Sequence, residues 1–327
     1  MTHVLVVGGA GYIGSHTVAL LLEKGCKVTT LDDLSTGFRD AVIGGEFLEA
    51  NCNDRAILDR LFTDNKFDCV MHFASCISVG ESVAEPAKYY QNNVSNTLVL
   101  LDMMLRHGLK MFIFSSSAAV FGEPIYVPID EAHPKAPINP YGMSKWMIER
   151  VLDDFSHAYG LRSVSLRYFN AAGADPQARI GERHKPETHL VPLVLQAASG
   201  RRDAIKIFGA DYDTPDGTCI RDYIHVVDLA EAHFLAMEYL FRGGATAQFN
   251  LGNGSGFSVR QVIDAAEAVT ARRIAVETAP RRAGDPARLV ADAARASQVL
   301  GWQPRVPEVD QILRDAWNWE KRLTGVS

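Results

Sequence analysis

A glycine-rich turn between an apolar strand and a helix is the feature that most restricts how this chain can fold. Residues 4–7, all apolar, lead directly into Gly8-Gly9-Ala10-Gly11-Tyr12-Ile13-Gly14, and a helical pattern follows over residues 15–22. Glycines at this spacing permit a tight turn and a close approach of the backbone to a pyrophosphate, which the helix N-terminus attracts. The next predicted strand runs into Asp32, whose carboxylate can accept hydrogen bonds from an adenosine ribose and would repel a 2′-phosphate. The sequence therefore predicts a dinucleotide site that favours NAD over NADP.

Short apolar runs alternate with helical patterns through the first half of the chain. The predicted strands are 3–7, 27–31, 46–49, 69–73, 111–115 and 163–166. Between them, residues 93–107 show helical spacing, with Val94, Leu98, Leu101 and Leu105 on one face. Strands separated by helix-length crossovers form a parallel sheet covered on both faces. We expect an α/β fold, a Rossmann-type doubly wound parallel sheet with a smaller C-terminal α/β region.

The domain organisation follows from a change of rhythm after about residue 170. Segments rich in Gly, Pro, Asp and Arg then separate shorter apolar elements. We predict an NAD-binding domain over 1–170 and a second, smaller domain over 171–327. The strand-and-helix pattern of 222–240 is a candidate to return to the first domain.

Composition and charge exclude several classes of protein. The chain has 327 residues, of which 47% are hydrophobic, and its formal net charge is −6. This favours a globular protein without a nucleic-acid or membrane surface as its main function. Residues 1–8 do not resemble a signal peptide. The five cysteines contain no C-x-x-C pair, so we expect reduced, inert thiols, no disulfide framework, no metal site and a cytoplasmic location.

A tyrosine and a lysine lie one helical turn apart in the sequence Pro140-Tyr141-Gly142-Met143-Ser144-Lys145. Positions i and i+4 share a helix face, so Tyr141 and Lys145 can enter one site. A lysine ammonium and a positive nicotinamide ring nearby would lower the pKa of the phenol by charge proximity, which makes Tyr141 a candidate general base. Ser115, Ser116 and Ser117 stand at the end of an apolar strand, and Ser117 can bridge Tyr141 to a substrate hydroxyl.

Nine short motifs are spread along nearly the whole chain, at residues 8–14, 72–74, 79–82, 92–94, 114–117, 141–145, 166–170, 221–226 and 280–285. Together they resemble the motifs of the UDP-glucose 4-epimerases in the extended short-chain dehydrogenase/reductase family. The resemblance implies that the domain over 171–327 is a sugar-nucleotide-binding domain. The glycine turn and the serine strand mark the superfamily only. The sequences RYFN, RDYIHV and PRRAGD in the last three groups are specific to the sugar-nucleotide branch.

The resemblance implies an isomerase that keeps NAD bound, takes a UDP-hexose as substrate and forms a homodimer. Tyr141 would remove the proton of the 4-hydroxyl as hydride leaves C4 for the nicotinamide, and the 4-keto sugar would then turn and take hydride back on its other face. The implied catalytic residues are Tyr141, Lys145 and Ser117. The implied cofactor contacts are Gly8, Gly11, Tyr12, Ile13, Gly14, Asp32, Asp33, Asn51, Cys52, Phe73, Ala74, Asn93, Ser117, Tyr141, Lys145 and Phe169. The implied substrate contacts are Ser117, Tyr141, Asn170, His189, Leu190, Phe208, Arg221, Tyr223, Arg282, Asp285 and Leu289.

Arg221 and Arg282 are assigned to the diphosphate, because a guanidinium fork matches phosphate oxygens. Two site positions depart from the family pattern: Asn51 stands where an aspartate usually meets the adenine, and His189 where an asparagine often contacts the diphosphate. Leu289 occupies the position thought to control entry of N-acetylated sugars, and its intermediate size favours UDP-glucose and UDP-galactose while leaving UDP-GlcNAc open.

Three alternatives stay open. The chain could be another sugar-nucleotide enzyme, a dehydratase or decarboxylase, although Ala118 and Ala119 stand where dehydratases carry acidic residues. It could be a non-catalytic NAD-binding regulator, although Ser117, Tyr141 and Lys145 are all present. The apolar face of residues 94–105 could form the homodimer or could cover the sheet.

Overall fold

One parallel sheet organises the chain in the computed structural model, which describes residues 1–282 and 285–326. Seven of the described strands form this sheet in the order β11-β6-β5-β4-β1-β2-β3. The strands are β1 (His3–Val7), β2 (Lys27–Asp32), β3 (Glu46–Glu49), β4 (Cys69–His72), β5 (Met111–Ser117), β6 (Arg162–Tyr168), β7 (Asn170–Ala172), β8 (Ile205–Phe208), β9 (Ile220–Arg221), β10 (Tyr223–His225), β11 (Ala247–Leu251), β12 (Phe257–Ser258), β13 (Val276–Ala279) and β14 (Arg288–Leu289). The predicted Rossmann-type α/β fold is confirmed.

Helices cover both faces of the sheet and build a smaller region beside it. They are α1 (Tyr12–Glu23), α2 (Arg55–Asp64), α3 (Val79–Ala84), α4 (Pro86–Tyr89), α5 (Asn96–Arg106), α6 (Pro140–Tyr159), α7 (Leu190–Ala198), α8 (Val226–Phe241), α9 (Val259–Thr270), α10 (Ala294–Leu300) and α11 (Val309–Thr324). Short 3-10 turns lie at Arg39–Ala41 and Ala118–Val120, and a π-helical segment at Tyr90–Ser95. No helix among the described residues is both long and apolar enough to cross a membrane.

The six predicted strands are all present, and their ends differ by a few residues. Strand β5 is predicted to end at residue 115 and continues to Ser117, because its pairing with β6 extends to Ser117 opposite Tyr168. The three serines therefore lie within the strand.

The strand order reverses direction between the adjacent strands β1 and β4, because the sheet continues from β1 to β2 on one side and from β4 to β5 on the other. Sheets of this type bind ligands beyond the carboxyl ends of the two strands where the order reverses.

The predicted helix over 93–107 has a different start. The π-helical segment ends at Ser95 and α5 then runs to Arg106. Val94 and Leu101 are buried in one core cluster with the sheet, and Leu98 and Leu105 pack against that cluster. This apolar face therefore covers the sheet.

Chain beyond residue 170 contributes to both regions. Helix α8 packs on α1 in a core that also contains residues of β11, and β11 pairs in parallel with β6. The strand and helix predicted within 222–240 are present as β10 and α8, whereas β11 was not predicted. A separate core joins α7, β8, α9 and α11. The division at residue 170 stays a prediction.

Candidate active site

The turn from β1 into α1 has a backbone that only glycine accommodates at two positions. Gly8 has a φ of +81°, and a Cβ added there would lie 2.4 Å from the nitrogen of Ala74. A Cβ on Gly14 would lie 2.2 Å from the carbonyl oxygen of Gly8. The N-cap is Gly11, and among the described residues no side chain caps this helix start. Free N–H groups at a glycine-lined helix N-terminus fit a pyrophosphate.

The predicted adenosine side lies at the ends of β2 and β3. The carboxylate of Asp32 accepts the N–H of Ala10 at 2.9 Å and thereby ties the glycine turn to β2. Burial raises the pKa of Asp32, and this hydrogen bond lowers it in part. Asp33 accepts the side-chain amide of Asn51 at 2.8 Å, and Cys52 follows in the same turn. The glycine turn and these oxygens fit NAD.

The loop after β4 runs beside the glycine turn, and hydrogen bonds join it to β1 and, through Asn93, to α6. The N–H groups of Phe73 and Ala74 both reach the carbonyl of Val7. The side chain of Asn93 accepts the N–H of Cys76 at 2.8 Å and donates to Ser144 at 3.0 Å. Asn93 thus links this loop to α6, a positioning contact that its sequence motif did not predict.

Ser117, Tyr141 and Lys145 meet at the carboxyl end of β5. Asn139 caps α6 by accepting the N–H of Gly142, so that the helix begins with Pro140 and Tyr141. The Lys145 ammonium lies 5.8 Å from the centre of the Tyr141 ring. Ser117 Oγ accepts the N–H of Ala119, and it lies close enough to the Tyr141 phenol to lower the pKa of that group. The structure therefore brings the three predicted catalytic residues together.

Lys145 is buried at the base of this group, with 2% of its surface exposed. Its ammonium donates to Ser75 Oγ at 2.7 Å and to the carbonyl of Ser115 at 2.8 Å. Burial lowers the pKa of Lys145 to about 7. Burial raises the pKa of Tyr141, and the neighbouring Ser117 hydroxyl lowers it in part. The protein's own groups thus keep the phenol protonated, so the predicted lowering depends on the positive charge of the bound cofactor.

A buried ionic network supports the helix that carries Tyr141 and Lys145. Glu149, four residues after Lys145, accepts Ser116 Oγ at 2.5 Å and the guanidinium of Arg167 at 2.5 and 2.9 Å. The network joins α6 to β5 and β6. Neither Glu149 nor Ser75 was predicted as part of the site, although Glu149 continues the i, i+4 spacing of the motif.

The predicted substrate residues gather on the small sheets. Strand pairing puts Tyr223 beside Asn170 and Leu289 beside Arg221. Arg221 forms an ion pair with Asp285. Leu289 and Phe169 pack against the same apolar cluster, and Arg282 lies over the ring of Phe208 at 3.8 Å. Residues 283 and 284 of the motif over 280–285 lie outside the described residues.

His189 and Leu190 stand at the start of α7, with His189 as its N-cap. The imidazole of His189 is hydrogen-bonded to Glu182. Tyr12 donates to the carbonyl of Gly173 at 2.7 Å, and Ile13 packs against the core beside it. The roles of the predicted site residues stay predictions, but their positions form one continuous arrangement from the glycine turn to the small sheets.

The five cysteines are free, and three of them, Cys52, Cys69 and Cys219, are buried. Burial raises the pKa of all five thiols. A thiol held protonated is a poor nucleophile, which agrees with the expected inert thiols.

Comparison with known proteins finds that the chain is similar to NAD-dependent epimerases. Residues 4–252 match the NAD-dependent epimerase/dehydratase family. The UDP-glucose 4-epimerase of Halalkalibacterium halodurans is 52% identical over 97% of this chain and 95% of its own length. The crystal structure of UDP-glucose 4-epimerase from Brucella ovis in complex with NAD is 48% identical, with a TM-score of 0.95 over 97% of this chain and 98% of that one. The Bifidobacterium longum enzyme in complex with NAD+ and UDP is 40% identical, with a TM-score of 0.93 over 98% of each chain.

Proposed function

The chain belongs to the NAD-dependent epimerase/dehydratase family, and we propose that it interconverts UDP-glucose and UDP-galactose at C4 of the hexose. Relatives named UDP-glucose 4-epimerase are 52% and 51% identical over nearly its whole length. The observation that carries the proposal within the structure is the meeting of Ser117, Tyr141 and Lys145 beside the glycine turn. The protein is an isomerase that uses NAD.

The residues of this chain hold and move the proton of the 4-hydroxyl. NAD held by the glycine turn and Asp32 would supply a hydride acceptor and donor for C4 of the sugar. Tyr141 takes the hydroxyl proton in one direction and gives it back in the other, and Ser117 orients the hydroxyl toward the phenol oxygen. Lys145 is fixed by Ser75 and Ser115 and its ammonium lies close to the Tyr141 ring. In its protonated form it would favour the phenolate in the transition state.

Epimerisation requires a sugar that can turn, so we assign the binding energy to the nucleotide. Arg221 lies in β9, and Arg282 lies over the ring of Phe208. We propose that these two residues hold the diphosphate, because a guanidinium group can bind two phosphate oxygens at once. The ion pair between Arg221 and Asp285 holds the first guanidinium in place. Leu289, packed near Phe169, would border the sugar.

Two finer proposals concern assembly and location. We propose a homodimer, and because the apolar face of α5 covers the sheet, the dimer would use other surfaces of the first region. We also propose a cytoplasmic location, in keeping with five free cysteines.

The test is to incubate the purified protein with UDP-galactose, UDP-GalNAc or dTDP-glucose without added NAD and to identify the products. We expect UDP-glucose from UDP-galactose and no dehydrated sugar from dTDP-glucose. Tyr141→Phe should remain folded, retain NAD and lose about 10²- to 10⁴-fold in turnover, whereas Tyr159→Phe at the exposed end of the same helix should keep full activity. Full turnover in Tyr141→Phe would reject the assigned base.

A further inference from the structure

The loop between β7 and α7 carries a cluster of two histidines and two glutamates. Glu182, His184, Glu187 and His189 each direct one ligand atom into it, and the four atoms lie within 4.8 Å of one another. They follow the spacing E-x-H-x-x-E-x-H. The cysteine-based search of the sequence predicted no metal site and could not detect a set without thiols.

We propose that these four side chains bind one divalent transition-metal ion of the Zn²⁺ class, as a closed structural site. Two imidazole nitrogens and two carboxylate oxygens are ligand types that Zn²⁺ accepts in four-coordinate sites, whereas Mg²⁺ prefers oxygen ligands and keeps several waters. The proposal goes beyond the epimerase reaction, and it gives His189, which the resemblance assigns to the substrate, a role as metal ligand.

Two of the distances in the cluster agree with four-coordinate geometry. Ligand atoms about 2.0–2.2 Å from a tetrahedral ion lie about 3.3 Å apart. Nδ1 of His184 lies 3.4 Å from an oxygen of Glu182 and 3.5 Å from one of Glu187. Nδ1 of His189 lies closer to the Glu182 oxygen than two ligand atoms of one ion would. The His189 ring therefore has to move away from Glu182 to ligate. Its side chain is 43% exposed and has room for that movement.

Burial makes the charges of the two carboxylates costly unless they are paired. The side chains of Glu182 and Glu187 are 5% and 6% exposed, and their ion pairs are with imidazoles. Buried charges in proteins are paired or coordinate metals. A divalent ion would supply two positive charges for the two carboxylates when the imidazole nitrogens that now face them give up their protons.

Hydrogen bonds from neighbouring groups fix two of the proposed ligand residues, Glu182 and Glu187. Trp319 of α11 donates to the carbonyl of Glu182 at 3.0 Å. Glu187 accepts the N–H groups of Thr188 and His189 through one oxygen, while its other oxygen faces His184. Such hydrogen bonds to ligating groups orient them and tune the metal.

The position of the cluster gives the ion a structural role. Tyr12 of the glycine turn contacts the edge of the His184 ring, with ring centres 6.4 Å apart, and His189 begins α7. The ion would therefore fix the loop that connects the predicted cofactor side to the predicted substrate side.

The test is to strip the holoprotein with a chelator and measure binding of Zn²⁺ alone by calorimetry and by metal content after dialysis. We expect one ion per chain, no displacement by millimolar Mg²⁺, and a higher Tm with Zn²⁺. His184→Gln and Glu187→Gln should each weaken binding at least tenfold. His107→Gln is the matched control, because His107 also pairs with a carboxylate, Asp59, but far along the chain from the cluster, and it should bind as the wild type does.

X-ray absorption of the wild-type zinc complex separates this site from the five cysteines and does not depend on variants that fold. A shell of nitrogen and oxygen near 2.0 Å supports the proposal, whereas Zn–S distances near 2.3 Å would show thiolate binding and overturn it. Less than one-tenth of an ion per chain, or unchanged affinity in both folded variants, would also overturn it.

Discussion

Removal of the Arg167 guanidinium is expected to destabilise the protein by about 3–5 kcal/mol, because it leaves a buried carboxylate without its counter-charge. Arg167 and Glu149 have side chains that are 3% and 1% exposed. Three hydrogen bonds join them, at 2.5, 2.9 and 3.2 Å. In Arg167→Met, Glu149 would keep only the hydroxyl of Ser116. Against a typical total of about 5–15 kcal/mol, this is a large fraction of the free energy of unfolding.

The assay is urea unfolding of the wild type, Arg167→Met, Glu149→Leu and the double variant. The double variant should be more stable than the sum of the two single losses predicts, because no unpaired charge remains buried. Arg150→Met is the matched control on the same helix. Its ion pair with Asp153 has side chains 55% and 26% exposed, so its loss should cost at most about 1 kcal/mol.

Two results would refute this reasoning. One is a loss in Arg167→Met no larger than that in Arg150→Met. The other is strict additivity of the two single variants, which would mean that Arg167 and Glu149 contribute to stability separately.

Three further predictions concern the cofactor turn, the buried lysine and the sugar pocket. Gly14→Ala should lose bound NAD, because its Cβ would lie 2.2 Å from the carbonyl of Gly8, whereas Gly80→Ala, with open space around it, should retain the wild-type amount; NAD per purified chain measures both, and equal retention would contradict the assignment of the turn. Burial lowers the pKa of Lys145 to about 7 from 10.5, so between these values the unfolded chain holds a proton that the folded chain lacks. The free energy of unfolding of the wild type, relative to Lys145→Met, should therefore rise by up to about 1.4 kcal/mol per pH unit from pH 8 to 10 and stay flat below about pH 7; a constant difference across this range would show that the ammonium stays charged. Leu289→Ser should raise the rate with UDP-GlcNAc relative to UDP-glucose, since it enlarges the space beside Phe169; an unchanged ratio would show that Leu289 does not control sugar entry.

The sequence predicted those parts of the fold whose pattern lies within one short stretch of the chain. The apolar run of β1 and the glycine turn were identified because strand, turn and helix follow one another within 23 residues. Strand β11 was missed because it is five residues long, and its burial comes from β6, about 80 residues earlier in the chain, and from α8. The extension of β5 to Ser117 likewise depends on pairing with β6.

The same distinction applies to the candidate site. Tyr141 and Lys145 were predictable because one helical turn sets their relation. The partner of Glu149 is Arg167, which lies on strand β6. A single glutamate in a helix looks like a surface residue in the sequence, so this ion pair was not predicted. The ion pair between Arg221 and Asp285 joins residues 64 apart, so spacing alone could not show that the guanidinium has a carboxylate beside it.

The return of β11 to the large sheet determines how this protein can be divided. A fragment that stopped at residue 170 would leave the hydrogen-bonding edge of β6 open and the apolar side of α1 uncovered. Unpaired strand edges and bare apolar surfaces promote aggregation. The predicted sugar-nucleotide-binding part is therefore interrupted by chain that builds the large sheet. An attempt to graft it onto a relative would have to exchange two separate stretches, one on each side of α8 and β11.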